Sequence, residues 1–197
     1  MAVRHCCAAS LETGSRGRSD RCDSGRMDLD VREMRLDETG VIVDYFHTST
    51  PEHLDTLGVD PTRLWDREAW HRWFAAEHAM PLPERTSFQL AWLLDGRLVG
   101  FSTVDALRFG EEANMHLHIV EPDRRRSGLG VEFVRRSAGL YFDALRLRRL
   151  YCQPNALNTA PNRTLQAAGF RYVKTLTTVP SRLNYRQAAT RWVLDRP

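Results

Sequence analysis

One segment near the middle of the chain constrains the fold more than any other. Residues 114–120 have the pattern of a strand, and the segment Val120-Glu-Pro-Asp-Arg-Arg-Arg-Ser-Gly-Leu-Gly130 after it combines three consecutive arginines with two glycines. From about residue 128 to 147, apolar residues recur at helical spacing. The sequence therefore predicts a strand, a basic turn and a long helix in direct succession.

Such a turn is suited to binding an anion. The first N–H groups of a helix have no partner within the helix, and the helix dipole adds partial positive charge there. Glycine at positions 128 and 130 permits positive φ and close approach of a ligand, and arginine supplies forked donors. A diphosphate would fit, although an unliganded basic turn is the alternative. The segment lacks the Gly-Lys-Ser/Thr of a Walker loop and the third glycine of the Rossmann fingerprint.

The rest of the chain alternates between strand and helix patterns. Short helices are expected after residue 40, at Thr50-Pro51 and from Asp60-Pro61 to Pro81. The apolar stripe of the first is predicted to consist of Val41, Ile42, Tyr45 and Phe46, and that of the third of Leu64, Trp65, Ala69, Trp73 and Phe74. Asp95-Gly96 is a strong hairpin signal between two strands. A helix at 161–168 is followed by closing strands at 170–179 and 190–194. This order predicts a mixed α/β sheet with helices on both faces.

Composition excludes several classes of protein. No apolar run approaches the ~18 residues of a membrane-spanning helix. The net charge of the 197 residues is only +3, which argues against nucleic-acid binding driven by bulk charge. The four cysteines form no disulfide framework or zinc spacing, so we expect a reducing, cytoplasmic setting and no metal. Residues 1–26 are expected to be a tail or a misassigned leader, and 27–197 a single domain.

Two separate motifs resemble those of one enzyme family. Arg125-x-x-Gly128-x-Gly130, after a strand ending Val120-x-Pro122, resembles motif A of the Gcn5-related N-acetyltransferases (GNAT). The segment Asn158-Thr-Ala-Pro-Asn-Arg-Thr-Leu-Gln-Ala-Ala-Gly-Phe170 resembles the family's motif B helix and the Gly-Phe that follows it. The resemblance covers roughly residues 29–196, and the order of elements agrees with it.

The resemblance implies a mostly antiparallel, twisted sheet with one splayed parallel pair, here 114–120 and 150–153. Acetyl-CoA would be the cosubstrate, with its pantetheine arm in the gap between those strands. Unpaired backbone groups in such a gap are costly unless a ligand satisfies them. The residues expected to bind the cosubstrate are Ile119, Val120, Arg125, Arg126, Ser127, Gly128, Leu129, Gly130, Asn158 and Asn162.

The implied reaction is transfer of an acetyl group to a primary amine, most simply that of a small molecule. Asn114, His116 and His118 alternate along one strand and so share a face. An imidazole, with a reference pKa of about 6.5, can act as the base directly or through water. Arylalkylamine N-acetyltransferases carry a similar His-x-His pair on the same strand. The pair in this sequence is displaced along the strand, so only His116 aligns with one of their two histidines. Asn158 is expected to orient the pantetheine arm or a water at the catalytic centre.

Several points stay open in the sequence. Leu165 occupies the position where many relatives have the tyrosine that protonates the leaving thiolate. Cys152 is expected to be a buried structural residue. Aromatic residues at helical spacing more often belong to a core, but Trp70 and His71 fall off the main stripe and are candidates for lining an acceptor pocket. The alternatives are a protein N-terminal acetyltransferase and a non-catalytic acyl-CoA-binding module. We expect a monomer or homodimer that binds neither nucleic acid nor membrane.

Overall fold

The computed structural model describes residues 28–121, 128–180 and 183–197. Within them one seven-stranded sheet has the order β1-β2-β3-β4-β5-β7-β6. Its strands are β1 (Leu29–Glu33), β2 (Phe88–Leu94), β3 (Arg97–Arg108), β4 (Glu112–Ile119), β5 (Arg149–Cys152), β6 (Arg171–Thr177) and β7 (Ala188–Asp195). Only β4 and β5 pair in parallel, and every other pair is antiparallel. The predicted mixed, mostly antiparallel sheet is confirmed.

Helices cover both faces of this sheet. The α-helices of the described residues are α1 (Gly40–Thr48), α2 (Pro51–Leu57), α3 (Arg67–Ala79), α4 (Leu129–Ala144) and α5 (Thr159–Ala168). Phe133 of α4 and Leu165 of α5 share a core with Met115 of the sheet. Ile42 of α1 and Phe74 of α3 pack with Phe101 in a second core. The expectation of helices on both faces is confirmed.

Local signals set most element boundaries. Asp95 (φ 50°) and Gly96 (φ 75°) form the predicted tight turn between β2 and β3, and two positive φ values are what a type I′ hairpin needs. The Thr50 side chain accepts a hydrogen bond from the His53 N–H at the start of α2, with Pro51 at the first helical position. Gly169, in the left-handed conformation, ends α5.

The prediction for the third helix was wrong in its start and only partly right in its face, because Trp73 and Phe74 pack in the second core as predicted. Residues 61–63 form only a 3-10 turn, and α3 begins after Asp66, whose side chain accepts from the Ala69 N–H. Residues 64 and 65 lie outside the helix and therefore cannot define its apolar stripe. Trp70 is 5% exposed and stacks on Phe74, whereas His71 is exposed. Trp70 therefore belongs to the core, and His71 lies on the surface.

Candidate functional site

A gap opens between the two parallel strands. Their pairing ends at Met115 and Cys152, after which β4 continues to Ile119. The chain that follows β5 turns toward β7 instead, through a bridge between Asn155 and Ala189. The sequence analysis predicted that residues 114–120 and 150–153 are splayed apart. In the structure residues 114 and 115 still pair with β5, and the strands separate only after them. Residues 116–119 therefore border the gap.

Backbone groups of β4 point in alternate directions at this gap. The Val120 N–H donates to the Val99 carbonyl at 2.9 Å, so it is directed toward β3. Because successive residues of a strand turn their peptide groups to opposite edges, the N–H and C=O of Ile119 are directed toward the gap. Of the two residues expected to contact the cosubstrate through the backbone, Ile119 has the suitable orientation.

The start of α4 has the form of an anion site. Gly128 precedes the helix with φ +81°, and no described heavy atom lies within 4 Å of the position that a Cβ would occupy. Glycine has no side chain that could cap the first N–H groups of the helix. None of the described residues therefore blocks the approach of a ligand to those N–H groups from the side of Gly128.

The other predicted residues of this turn differ from Gly128. Gly130 does not use positive φ, and a Cβ there would lie 3.7 Å from Thr164 Cγ2 and 3.8 Å from Ile119 Cδ1. These are ordinary van der Waals distances, so neither backbone conformation nor contact with the described residues requires glycine at this position. The side chain of Leu129 is buried in the core, so only its backbone can serve a ligand. Arg125, Arg126 and Ser127 fall outside the described residues.

The two motif B asparagines are held by protein contacts. Asn158 Nδ2 donates to the Thr56 carbonyl of α2 at 3.2 Å. Asn162 Nδ2 donates to the carbonyls of Asn155 and Asn158, at 3.1 and 2.7 Å. Asn162 Oδ1 accepts from the Thr190 hydroxyl and, at 2.8 Å, from the Trp192 indole N–H. These four contacts fill the hydrogen-bonding capacity of the Asn162 amide, so it fixes the loop between β5 and α5.

His116 is paired with a carboxylate that the sequence analysis missed. His116 Nε2 lies 3.2 Å from Asp105 Oδ2, although the direction is not that of a good hydrogen bond. Burial alone would lower the pKa of His116, but the negative charge of Asp105 outweighs burial and holds the pKa above its ordinary value of 6.5. Asp105 belongs to β3, where it lies opposite Asn114. Only the register of β3 on β4 brings it to the histidine.

His118 lies on the same face and contacts α1. Its Nδ1 is 3.3 Å from the Tyr45 hydroxyl, which in turn is 2.8 Å from His53 Nε2 on α2. The imidazole also packs against Phe101, with ring centroids 4.8 Å apart. The sequence analysis assigned Tyr45 only to the apolar stripe of α1. The polar end of its side chain is the one feature that could have indicated more.

A surface cleft adjoins this group. It has a volume of about 540 Å³ and is lined by α1, the start of α2 and the residue after β4. Its lining includes Asp44, Tyr45 and Thr48 of α1, His53 of α2, and Val120, which directly follows β4. The cleft and the gap between β4 and β5 therefore meet at the end of β4.

Several other groups are unsuited to proton transfer. Leu165 is fully buried in the core. The Tyr141 hydroxyl donates to Ser102 Oγ at 3.0 Å, and burial raises the pKa of Tyr141 well above its ordinary value. Burial also raises the pKa of Cys152 to about 12, so it is the inert structural thiol that was predicted.

The described residues contain neither a candidate metal cluster nor a membrane-spanning helix. No cluster of three or more His, Cys, Asp or Glu side chains there is placed to hold a metal ion. No described helix is both long enough and apolar enough to cross a membrane.

The fold is similar to those of several solved acetyltransferases. The solved structure of spermidine N-acetyltransferase from Vibrio cholerae with CoA and spermine matches with a TM-score of 0.68 at 13% identity, over 85% of this chain and 95% of that one. A ribosomal L7/L12 alpha-N-protein acetyltransferase with coenzyme A gives a TM-score of 0.67 at 12% identity, over 85% and 93%. The aminoglycoside acetyltransferase AAC(6')-Ib with coenzyme A and kanamycin gives 0.62 at 16% identity, over 86% and 95%.

These structural matches show the fold, and the sequence itself shows the family. No curated protein matches the sequence. The family model described as an acetyltransferase (GNAT) domain matches residues 29–171. Enzymes of this family use acetyl-CoA as cosubstrate, and the open glycine at the start of α4 fits the diphosphate of that molecule. The chain belongs to the GNAT family of acetyltransferases.

Proposed function

We propose that the protein transfers the acetyl group of acetyl-CoA to a primary amine bound in the cleft between α1 and α2. The observation that carries this proposal is the position of Val120. It follows β4 where the gap for the cosubstrate opens, and it also forms a wall of the cleft. An acceptor in the cleft would therefore lie next to the gap, and proximity of this kind accounts for a large share of enzymatic rate enhancement.

Acetyl-CoA supplies a thioester carbonyl that an amine nitrogen can attack. The backbone at Gly128–Gly130 would hold its diphosphate, and the peptide groups of Ile119 would contact the pantetheine arm. Leu129 contributes only its backbone. Asn158, anchored to α2 at Thr56, would orient the arm at the start of α5. Arg125, Arg126 and Ser127 remain the predicted phosphate contacts.

The two β4 histidines have surroundings that favour different roles. Asp105 favours the protonated form of His116, so we assign His116 the proton that the leaving thiolate needs. His118 is linked through Tyr45 to the cleft, so we assign it removal of the proton from the attacking ammonium. An acid and a base placed side by side in different environments are a common solution in enzymes that transfer protons.

The cleft favours a small acceptor. Its volume of about 540 Å³ lies within the range of small-molecule sites. The carboxylate of Asp44 adds negative charge that would attract an ammonium group, although it also pairs with Arg67. Two of the matched structures contain spermine and kanamycin. A protein N-terminus is the second candidate, because another match is an alpha-N-protein acetyltransferase.

A thiol-release assay tests the proposed function. Purified protein, acetyl-CoA and a panel of polyamines, aminoglycosides, arylalkylamines and N-terminal peptides are mixed, and free CoA is measured. We expect release above background with at least one small amine, and acetylation on nitrogen by mass spectrometry. Release with peptides alone would favour the second candidate. Tight CoA binding without release for any acceptor would favour a non-catalytic module.

Substitution of Asp105 tests the assignment of His116. Asp105→Asn removes the negative charge that raises the pKa of His116, so that pKa should fall. If His116 must be protonated to act, its active form is then lost at lower pH. We expect the alkaline limb of the kcat profile to move to lower pH, with the acid limb unchanged. A shift of the acid limb alone would instead identify His116 as the base.

A further inference from the structure

We propose that the Tyr45 hydroxyl relays a proton between His118 and His53, which makes Tyr45 a catalytic residue and His53 the outlet to solvent. The inference rests on the proposed function, since it concerns the proton that the amine loses. It assigns work to two residues outside motifs A and B, on the helices that line the cleft.

The geometry of the three groups is continuous. Tyr45 lies between the two histidines, 3.3 Å from His118 Nδ1 and 2.8 Å from His53 Nε2. Both distances are within reach of hydrogen bonds. Only one hydroxyl separates the histidine on β4 from the histidine in the cleft wall, so a proton has a path of two short transfers.

The surroundings hold the hydroxyl in place. Tyr45 is only 6% exposed. Its ring meets Phe46 and Phe101 edge-on, at centroid distances of 5.2 and 5.4 Å, and such contacts fix the ring plane. His53 is itself placed by the start of α2, where Thr50 accepts its backbone N–H. The relay is thus built on two helices that pack on the sheet.

The proton balance requires one direction along the chain. His118 donates Nδ1–H to the Tyr45 oxygen, and the Tyr45 hydroxyl donates to His53 Nε2. When His118 takes a proton at Nε2 from the ammonium, its Nδ1 proton passes to Tyr45 and the Tyr45 proton passes to His53. His53 then releases its Nδ1 proton to water. One proton enters, one leaves, and the tyrosine stays neutral. After product release the path is reset when His118 gives its Nε2 proton to water in the emptied cleft and one proton returns from solvent through His53 and Tyr45 to His118 Nδ1.

Ring nitrogen NMR tests whether the three groups have the hydrogen-bond arrangement that the relay requires, and it needs no cosubstrate. A purely structural hydroxyl could share this arrangement, so the kinetic test that follows separates the two roles. In the uniformly ¹⁵N-labelled protein we expect the nitrogens that face Tyr45 to have opposite states, with His118 Nδ1 protonated and His53 Nε2 unprotonated. Tyr45→Phe should change the ¹⁵N shifts of both histidines, because it removes both contacts. Unchanged shifts in a folded Tyr45→Phe protein would overturn the relay.

Kinetics supply the second test. Tyr45→Phe should lower kcat by roughly 10- to 100-fold, at the lower end of what proton transfer contributes, while KM for acetyl-CoA stays within about twofold. His53→Gln should lower kcat as well, and the double variant should be no slower than Tyr45→Phe alone, because both changes interrupt one path. Fully additive losses would overturn the proposal.

Tyr172→Phe is the matched control. Tyr172 lies on the exposed strand β6, where its hydroxyl contacts Thr175, and loss of that hydroxyl should leave kcat unchanged. The two proposals also fail differently. If no amine is acetylated by the wild type, the function fails whatever the NMR shows. If amines are acetylated and Tyr45→Phe retains full kcat, only the relay fails.

Discussion

Gly128→Trp is expected to abolish coenzyme A binding at concentrations that saturate the wild type. The glycine precedes α4 with φ +81°, and no heavy atom of the described residues lies within 4 Å of the position that a Cβ would occupy. An indole there would occupy the volume in front of the first helical N–H groups, where a diphosphate would otherwise be held. Calorimetry with coenzyme A should show a loss of at least ~100-fold, about 2.8 kcal/mol of binding free energy.

Two controls separate blockage from damage to the fold. Gly128→Ala retains the strain of a non-glycine residue at positive φ, which costs about 1–2 kcal/mol, yet leaves most of the space open and should bind coenzyme A. Gly139→Trp places the same bulk on the exposed side of α4, where a side chain also meets nothing within 4 Å, and should bind normally. Wild-type affinity in a folded Gly128→Trp protein would contradict the site.

His118→Ala should give the largest loss of turnover among the variants of the acid–base groups. As the assigned base it should contribute roughly 100- to 10,000-fold to kcat, while the affinity for coenzyme A should change little. Removal of a ring that packs against Phe101 and Phe46 leaves space of about its own size. Added imidazole should therefore restore part of the rate.

Two control variants accompany His118→Ala: one keeps the side-chain volume at position 118, and the other removes a histidine elsewhere in the protein. His118→Gln fills the space, so it should be as slow as His118→Ala but should not respond to imidazole. His71→Ala removes an exposed histidine on α3 and should keep full turnover. A His118→Ala protein with normal kcat across pH would show that the base lies elsewhere, and His116 would be the next residue to test.

Most of the fold could be predicted from the sequence because the signals that determine it are local. Asp95-Gly96 favours one hairpin turn whatever surrounds it, and the strand, basic turn and helix around Gly128 are contiguous. The start of α3 was misplaced because two aspartates, at 60 and 66, both have the pattern of a helix cap. Which cap begins the longer helix depends on tertiary packing, here the burial of Trp70 against Phe46.

The candidate site could be predicted only where it is contiguous in sequence. His116 and His118 followed from alternation along one strand. Asp105 reaches His116 only through the register of β3 against β4. Tyr45 and His53 reach His118 only because α1 and α2 pack on that face of the sheet. Periodicity correctly placed Tyr45 on the buried side of α1, but burial alone says nothing about what its hydroxyl contacts.

The divergence of β4 from β5 has a consequence for how coenzyme A is received. After Cys152 the chain is held against β7 by two contacts. Asn155 forms a bridge with Ala189, and the Thr190 N–H donates to the Pro154 carbonyl at 3.1 Å. The Asn162 amide ties this loop to Thr190 and Trp192. The gap between β4 and β5 is thus formed when the protein folds, so binding of coenzyme A does not have to pay the entropy cost of ordering these residues. Free and ligand-bound forms should superpose along both strands, with no hinge to close.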